Sequence, residues 1–483
     1  MADISTPNLD YNDMCEAWDI NDALMGGTLE MRRQGEIYLP RWPNEDQKSY
    51  KQRLCAATLL PAYEETIKQN IGRIFAEPTV LSTSTPPKIQ ALAENIDMEG
   101  NRLDVWAQQF FSIAFQYGLA HALVDYPKTD PTAVKTRADE QQSGARPYVT
   151  MLNPRQIIGW QSAIQGGKVV LTDLRIKEIV VVEGDDFGQE KVEQIRHITP
   201  GKVEIYRTPM GDDGAKTWVM VDQWETSRQD IPLVTLYTKR TGFMRGAPPL
   251  LNLAHLNIKH WQSQSEQDNI LHVARVPLLS VFGLDADQEL TIGSSCATQF
   301  SDRSTQGMEY TEHSGTAIGA GKTSLDDLEN QMRQAGAKLV RAQNTSTKSI
   351  EQNHSEHMQE NSPLYTMANS LEDALDNILQ IMAEWIGEKD GGNVDIRTEL
   401  DVSTQTYDAP SALAVQSLEQ GGIIRKIDAV MTLQALKFID PDADPNDVVD
   451  QLNNLPVTMT PAPAATPPVT PESIASMTDE DSQ

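Results

Sequence analysis

The chain predicts an α+β protein. Three observations carry that reading: helical patterning at both ends, a dense run of strand-like segments in the middle, and one long helix with an unbroken apolar stripe. From Asn21 to Pro78 the helical pattern is broken at Pro40, Pro43 and Pro61, which predicts helical hairpins with short turns. The next helix, Leu103 to Ala120, carries Trp106, Phe110, Phe111, Phe115 and Tyr117 at helical spacing, the mark of a core element, and runs into a strand-like HALVDYP. From Arg146 the segments RPYVTML, KVVLTDLRIKEIVVVE, VEQIRHI, KVEIYRT, KTWVMVDQW and IPLVTLYT alternate with turn clusters such as EGDDFGQE and PMGDDGA. They predict an antiparallel meander of about ninety residues. Leu364, Met367, Leu371, Leu375, Ile378, Met382 and Trp385 form the stripe of the long helix, which stops at Gly387. A strand-like VDIRTELDVS then leads to helices Ser411 to Gln420 and Lys426 to Leu436, separated by Gly421 and Gly422. The Pro/Thr-rich end, with almost no apolar anchor, is expected to be disordered.

The stretch from Pro248 to Val340 is the most distinctive. Pro248 to Leu271 reads as a helix opened by prolines, yet no apolar residue occurs from Gln262 to Asn269, so burial in an ordinary core is not expected. A short β-rich insert follows. Leu325, Leu328, Met332, Ala335 and Leu339 then repeat at spacings of three and four, the narrow seam one helix presents to a neighbouring one. Asp326, Asp327 and Glu329 near the start of that helix and Lys338 and Arg341 near its end complement its dipole.

A length of 483 residues allows two to four domains with a substantial core. Cys15, Cys55 and Cys296 are too few and too scattered for a disulfide framework or zinc cluster, and read as buried small hydrophobes of a protein folded in a reducing compartment. The polar N-terminal stretch and the absence of any long apolar run predict neither a signal peptide nor a membrane span. The formal charge of -29 argues against tight grip on nucleic acid through its phosphates, although not against a surface past which nucleic acid slides.

Motifs for chemistry fail on inspection. TAIGAGKTS, Thr316 to Ser324, approaches a phosphate-binding loop, but the first required glycine is Thr316 and no βαβ unit surrounds it. A glycine hinge with Ser/Thr capping is the plainer reading, against a rival P-loop enzyme holding nucleotide at Lys322 and Thr323. Glu351, His354, His357 and Glu360 resemble half of a carboxylate-metal motif whose second half is missing. The expectation is a protein that is not an enzyme, with no cofactor and no metal.

Several phrases together carry a resemblance: YLPRWPNEDQKSYKQRL from Tyr38, TIKQNIGRIFAEP, GLAHALVDYP, RPYVTMLNPRQIIGW, IPLVTLYTKR, PPLLNLAHLNIKHWQSQSEQDNILHVARVPLLSVFG and EYTEHSGTAIGAGKTSLDDLENQMRQAGAKLV. In this order, spread over most of Tyr38 to Asp440, they resemble portal proteins of tailed bacteriophages, in a branch catalogued as a domain of unknown function. The resemblance implies a portal fold: an α/β wing over residues 1–247, a first stem helix over 248–273, and a small β-containing clip over 274–321. A second stem helix follows over 322–342, a tunnel loop over 343–355, the wing again over 356–410, crown-like helices over 411–454 and the tail over 455–483. It implies a homo-oligomeric ring of about twelve subunits joined head to tail. Double-stranded DNA would be packaged and ejected through this ring at a capsid vertex of the virion, after assembly in the host cytoplasm. The implied partners are the large terminase subunit, major capsid and scaffolding proteins, and head-completion or tail adaptor proteins. In that frame Arg341, Thr345 and Lys348 are the expected channel contacts, and Asp285, Asp287, Glu289, Asp302 and Arg303 the expected docking charges of the clip. Leu325, Leu328, Met332, Ala335 and Leu339 become an expected seam between subunits. A scaffolding or minor capsid protein is the other rival, disfavoured by the meander and the bracketed insert.

Overall fold

A computed structural model describes residues 3–127, 145–183, 188–208, 217–226, 228–275, 278–283, 304–305, 307–311, 316–337, 363–396, 409–435, 438–439 and 443–454. The chain forms two compact units, Met1–Asp401 and Val402–Gln483. The first mixes helices and sheets. It begins with α1 (Leu9–Met25), α2 (Gly27–Gln34), α3 (Gln47–Ala56) and α4 (Ala62–Ile74), followed by β1 (Val80–Leu81), α5 (Pro87–Ala93) and α6 (Leu103–Tyr117). Strands β2 (Leu119–Asp125), β3 (Tyr148–Leu152), β4 (Ile157–Gln165), β5 (Lys168–Glu183), β6 (Gln189–Thr199), β7 (Lys202–Arg207), β8 (Val219–Glu225) and β9 (Leu233–Tyr237) come next. Then come the short β10 (Arg240–Gly242) and β11 (Arg245–Gly246), α7 (Leu251–Ala274), β12 (Leu278–Phe282), β13 (Gly307–Thr311), α8 (Thr316–Ala337), α9 (Pro363–Ile386) and β14 (Val394–Asp395).

The prolines of the first hundred residues do punctuate helices. The turn between α2 and α3 is held from inside by Arg53, whose guanidinium donates to both carboxylate oxygens of Glu45 at 2.8 and 2.7 Å and to the Pro40 carbonyl at 2.9 Å. Trp42 lies 4.2 Å from that guanidinium. Asp46 caps α3 by accepting from the Lys48 and Ser49 N–H groups.

Strand β2 divides the unit into two cores. Side chains alternate across a strand, and here Ala120, Ala122 and Val124 join one buried cluster while Leu119 and Leu123 join another. The larger cluster packs the apolar faces of α4, α6 and α9, with Trp106, Phe110, Phe111 and Phe115 of the aromatic stripe all buried in it. The smaller cluster roots the sheet β4-β5-β6-β7-β8 through Trp160, Leu174, Ile176, Ile198, Val203 and Ile205. Between Leu119 and Leu123, on their face, His121 is fully buried, hydrogen-bonded to the Thr235 hydroxyl at 3.0 Å, and burial pushes its pKa down to about 3.

The meander differs from the expected one at both ends. RPYVTML and IPLVTLYT, expected as its outer strands, are β3 and β9, and they flank β2 in a separate three-stranded antiparallel sheet. In their place stands β4, a segment that the strand pattern did not single out because Gly159 interrupts its apolar run. Arg196 ties the two sheets together, pairing with Asp125 of β2 at 2.8 Å and Glu178 of β5 at 3.1 Å.

α9 starts at Pro363 and ends before Gly387, as the stripe predicts. Its Glu372 and Asp376 accept the N–H groups of Ile396 and Val394 at 2.8 and 2.7 Å. Four residues on a helix rise about 6 Å and two on a strand about 6.6 Å, so the two carboxylates stand in for the missing edge strand beside β14. The rest of VDIRTELDVS lies outside the described residues. The second unit contains α10 (Ala409–Gln420), α11 (Lys426–Ala435) and α12 (Pro445–Asn454), one helix more than the expected pair. Val415, Ala429 and Val430 are buried, and Lys426 reaches Asn453 at 2.7 Å. The expected disordered tail, 455–483, lies outside the described residues. Cys15 is half-buried and Cys55 exposed, so neither is the buried hydrophobe expected. Cys55 points outward from the surface of α3 and Cys296 is outside the described residues.

Gly118 ends α6 at φ +88°, and a Cβ there would sit 2.3–2.4 Å from the Ala247 backbone. Gly118→Ala is expected to destabilise the protein by about 3–5 kcal/mol through left-handed strain plus overlap with backbone that has no room to yield. Chemical denaturation measures it. A midpoint within error of the native protein would refute the close approach.

On the outer face of the meander, His197 donates to or accepts from Asp173 at 2.6 Å and Glu204 at 2.9 Å. The Asp173 hydrogen bond raises the His197 pKa, while bonds from Lys202 and His197 hold Glu204 down to about 2. A raised histidine stabilises the fold fully below about pH 6.5 and loses that contribution as pH rises through its folded pKa. Glu204 works in the opposite direction, contributing above about pH 4.5 and failing as pH falls toward 2. Hydrogen exchange over residues 190–207 should therefore quicken, beyond the intrinsic base catalysis, as pH rises above about 6.5. In His197→Gln the excess should vanish.

Candidate functional site: the paired polar helices

α7 and α8 lie side by side and antiparallel. The Gln267 side chain donates to the Ile318 carbonyl at 3.0 Å near one end, and His260 faces Glu329 at 3.8 Å farther along. With 24 and 22 residues, the two helices are roughly 36 and 33 Å long. Beyond their joined ends the insert begins and closes as an antiparallel ladder, β12 on β13, pairing Leu278 with Thr311 through Phe282 with Gly307. The helix pair therefore brackets a hairpin.

α8 begins at Thr316, not after the glycines, so TAIGAGKTS is helical rather than a hinge. Thr323 donates its hydroxyl to the Gly319 carbonyl at 3.1 Å, one turn back. A phosphate loop needs successive N–H groups turned to a common centre, and from Ala320 onward α8 commits them to carbonyls four residues earlier. Gly321 has a different task. A Cβ there would lie 2.1 Å from the Gln267 side-chain oxygen, so the missing side chain lets α8 close on α7.

α7 starts at Leu251, one turn after the prolines. Its inward face continues the apolar stripe with polar residues: Leu253, Ala254, Asn257, His260, Trp261, Ser265 and Gln267 are all buried. This corrects the expectation that the polar stretch escapes burial. Asn257 shows how the polarity is accommodated, accepting from the Tyr63 N–H and donating to the Leu60 carbonyl, both at 3.0 Å, so that one amide closes the entry to α4. Gln262 likewise donates to the Tyr38 carbonyl at 3.0 Å. His260 has no hydrogen-bond partner on either ring nitrogen, and burial lowers its pKa against the opposing pull of Glu329. The Trp261 indole N–H and the Ser265 hydroxyl are also buried without partners. Ser265 borders an open cleft of about 1060 Å³, whose walls include Trp42, Glu45, Arg53, Asp268 and His272. A second cleft, of about 670 Å³, runs between α4 and α8 and is lined by Glu65, Asn70, Arg73, Glu329 and Arg333.

Residues 249–386 match the model of a domain of unknown function, DUF4055. The matched stretch runs from the entry of α7 through α9. Among solved structures, the chain is similar to one in the virion of a native gene transfer agent particle, with 12% identity, 81% of this chain and 94% of that chain covered, and a TM-score of 0.39. A chain in the neck of an empty particle of this kind, computed with C6 symmetry, gives 12% identity, coverage of 79% and 90%, and a TM-score of 0.38. One in the neck of the native particle, computed with C12 symmetry, gives 11%, 83% and 98%, and 0.40. No curated protein matches.

The expected site residues divide. Leu325, Leu328 and Met332 are buried within this one chain and Ala335 is half-buried against its main core, so this seam is covered by α7 and α4 of the same chain. A narrow apolar stripe specifies that a neighbour exists, and here the neighbour is in the same chain. Leu339, Arg341, Thr345 and Lys348 lie outside the described residues, as do Asp285, Asp287, Glu289, Asp302 and Arg303 and the histidines His354 and His357. Sequence reasoning passed over Asn257 and Gln267, read Gly321 only as part of a hinge, and set His260 aside because its spacing of five from His255 puts the two off one face. The available signal was spacing, since Leu253, Asn257, His260 and Trp261 keep the three-and-four rhythm of a covered face. Among the described residues no group of three or more His, Cys, Asp or Glu could hold a metal ion, and no helix is long and apolar enough to cross a membrane.

Asn257→Ala leaves the Tyr63 N–H and the Leu60 carbonyl buried without partners and is expected to cost about 3 kcal/mol. Ser263→Ala, on a less buried side of the same helix, should stay within about 0.5 kcal/mol. Denaturant midpoints compare them, and equal effects would refute the clamp.

Proposed function

We propose that this chain is the subunit of a phage-type portal ring, a passive channel at a capsid vertex for packaging and ejecting double-stranded DNA. The observation that carries the reading is the α7–α8 pair bracketing the β12–β13 hairpin. It sits where the resemblance to portal proteins places stem and clip. Its inward face belongs to the subunit, and its outward face is polar, with Lys322, Thr323, Asp326, Asp327, Asn330 and Gln331 exposed on α8. Such a face meets water, other polar helices or a sliding polyanion better than it meets a core. An overall charge of -29 supports passage rather than capture, because an acidic lumen repels phosphates.

In this reading Arg341, Thr345 and Lys348 make the few weak contacts with DNA. The insert, with Asp285, Asp287, Glu289, Asp302 and Arg303, is the docking surface for the large terminase subunit and later for head-completion or adaptor proteins. Energy comes from that separate motor. The helical course of Thr316–Ser324 supports a non-enzymatic subunit, since it commits the N–H groups of Gly321, Lys322 and Thr323, which a phosphate loop would turn to its ligand, to carbonyls one turn back. Head-to-tail contacts about an axis close into a ring, of about twelve copies by the resemblance.

Light scattering after size exclusion, together with negative-stain imaging, tests the reading. The expected particle has many times the 53.6 kDa mass of one chain, cyclic symmetry and a central hole. A stable monomer at micromolar concentration, with no ring in capsid-assembly extracts, overturns it.

A further inference from the structure

The five-stranded meander has two edges, β4 and β8, and among the described residues each has a strand on one side only. Exposed edges template pairing with other chains, so soluble proteins guard them with lysine, proline, bulges or a covering segment. The base of β4 is guarded. The Asn8 N–H donates to the Ile158 carbonyl and the Asn8 side chain to the Trp160 carbonyl, both at 2.8 Å, while Arg175 holds this N-terminal arm by the Ile4 and Thr6 carbonyls. Beyond Trp160 the guarding thins to one register shift against β5, between Gln161 and Ser162. Gln161–Gln165 are all exposed, carry no charge and no proline, and include Ile164 at 80% exposure. On the opposite edge, Val219, Met220 and Val221 form an exposed apolar run, Val221 at 52%, in a strand with neither lysine nor proline, whose guards are Asp222, Glu225 and one register shift against β7 at Val221. Neither edge strand carries a basic residue, and β4 carries no charge at all.

We propose that these edges join neighbouring copies, β8 of one subunit pairing with the outer half of β4 of the next. The inference rests on the ring reading and names the contact that closes it. The two edges are different surfaces on opposite sides of one sheet, as a head-to-tail contact requires. With successive strands antiparallel from β4 to β8, the two edge strands point the same way. Rotation about a ring axis keeps that sense, so the new ladder is parallel and the sheet continues from subunit to subunit. A twofold dimer would instead set β8 against β8, antiparallel. The buried strip is narrow and supplies register to a ring rather than its whole stability, because specific interfaces bury about 1,200–2,000 Å².

The test uses the full-length protein with Cys15, Cys55 and Cys296 replaced by serine, into which Ala163→Cys and Val221→Cys are introduced singly and together. After treatment with a short bis-maleimide, the double variant should give a ladder of covalent multimers on a denaturing gel, and a mixture of the two single variants should give dimers. Neither single variant alone should cross-link. Independently, Ile164→Lys with Val221→Lys, both at exposed positions, should leave the monomer's melting unchanged and lower the assembled fraction about tenfold. Rings that form without cross-links, and that tolerate both lysines, overturn the edge contact while the portal reading stands. Dimers from Val221→Cys alone overturn it in favour of a twofold pair. Absence of any ring in the cysteine-free parent overturns the portal reading, and the edge contact with it.

Discussion

Strand β2 is the element on which the rest of the first unit depends. Its seven residues are the last of an unbroken run from the aromatic helix α6, and six of them are fully buried. A strand buried on both faces has to satisfy two cores at once, and β2 does so by size: alanines and a valine toward the helices, leucines toward the meander. The small side chains let α9 and α6 approach closely, while the leucines reach outward to the base of the long sheet. His121 marks the cost of this position, a ring that must stay neutral to be buried and gives its hydrogen bond to β9. The Gly118 to Ala247 approach fixes where β2 begins, so the register of both cores is set at one residue.

The helices α7 and α8 solve a different problem. Each is too polar for a conventional core, yet each has a buried face. The polar groups are distributed among amide clamps such as Asn257 and Gln262, one helix-to-helix bond from Gln267, and a glycine that brings the backbones together. Not every group is accommodated, and His260, Trp261 and Ser265 keep unpartnered polar atoms along one stretch of α7. Buried groups without partners are destabilising unless the molecule gains something elsewhere. Ser265 lies at the wall of the open cleft beside Trp42 and Arg53. His260 and Trp261 lie deeper, on the covered face of α7.

Much of this was legible in the residues. The stripe from Leu364 to Trp385, bounded by Pro363 and Gly387, specified α9 to the residue because apolar rhythm, start signal and stop signal agreed. The aromatic stripe of α6 declared its burial for the same reason. The failures are physical too. Gly159 hid β4, since a glycine in a strand reads as a break, whereas here it admits the Arg175 side chain across the sheet. Gly319 and Gly321 suggested a loop because intrinsic propensity disfavours glycine in helices, and tertiary contact with Gln267 overrode that preference. The outer strands of the expected meander pair with β2 instead, since β-rich sequence fixes that a segment is a strand but not which sheet receives it.

The seam on α8 gives the sharpest lesson about candidate sites. Leu325, Leu328 and Met332 carry a true signal of coverage, and the period of three and four says nothing about whether the cover is intramolecular. Exposure separates the cases. Apolar residues that the pattern predicts to be covered, and that the fold leaves open, are the ones still owed a partner. On α8 that set is nearly empty. On the far reaches of the meander it is not, because Ile164, Ile179, Val181 and Val221 are apolar strand residues that no described part of the chain covers. The unmet demand for cover therefore lies on the sheet, while the outward faces of the helices are polar and need none.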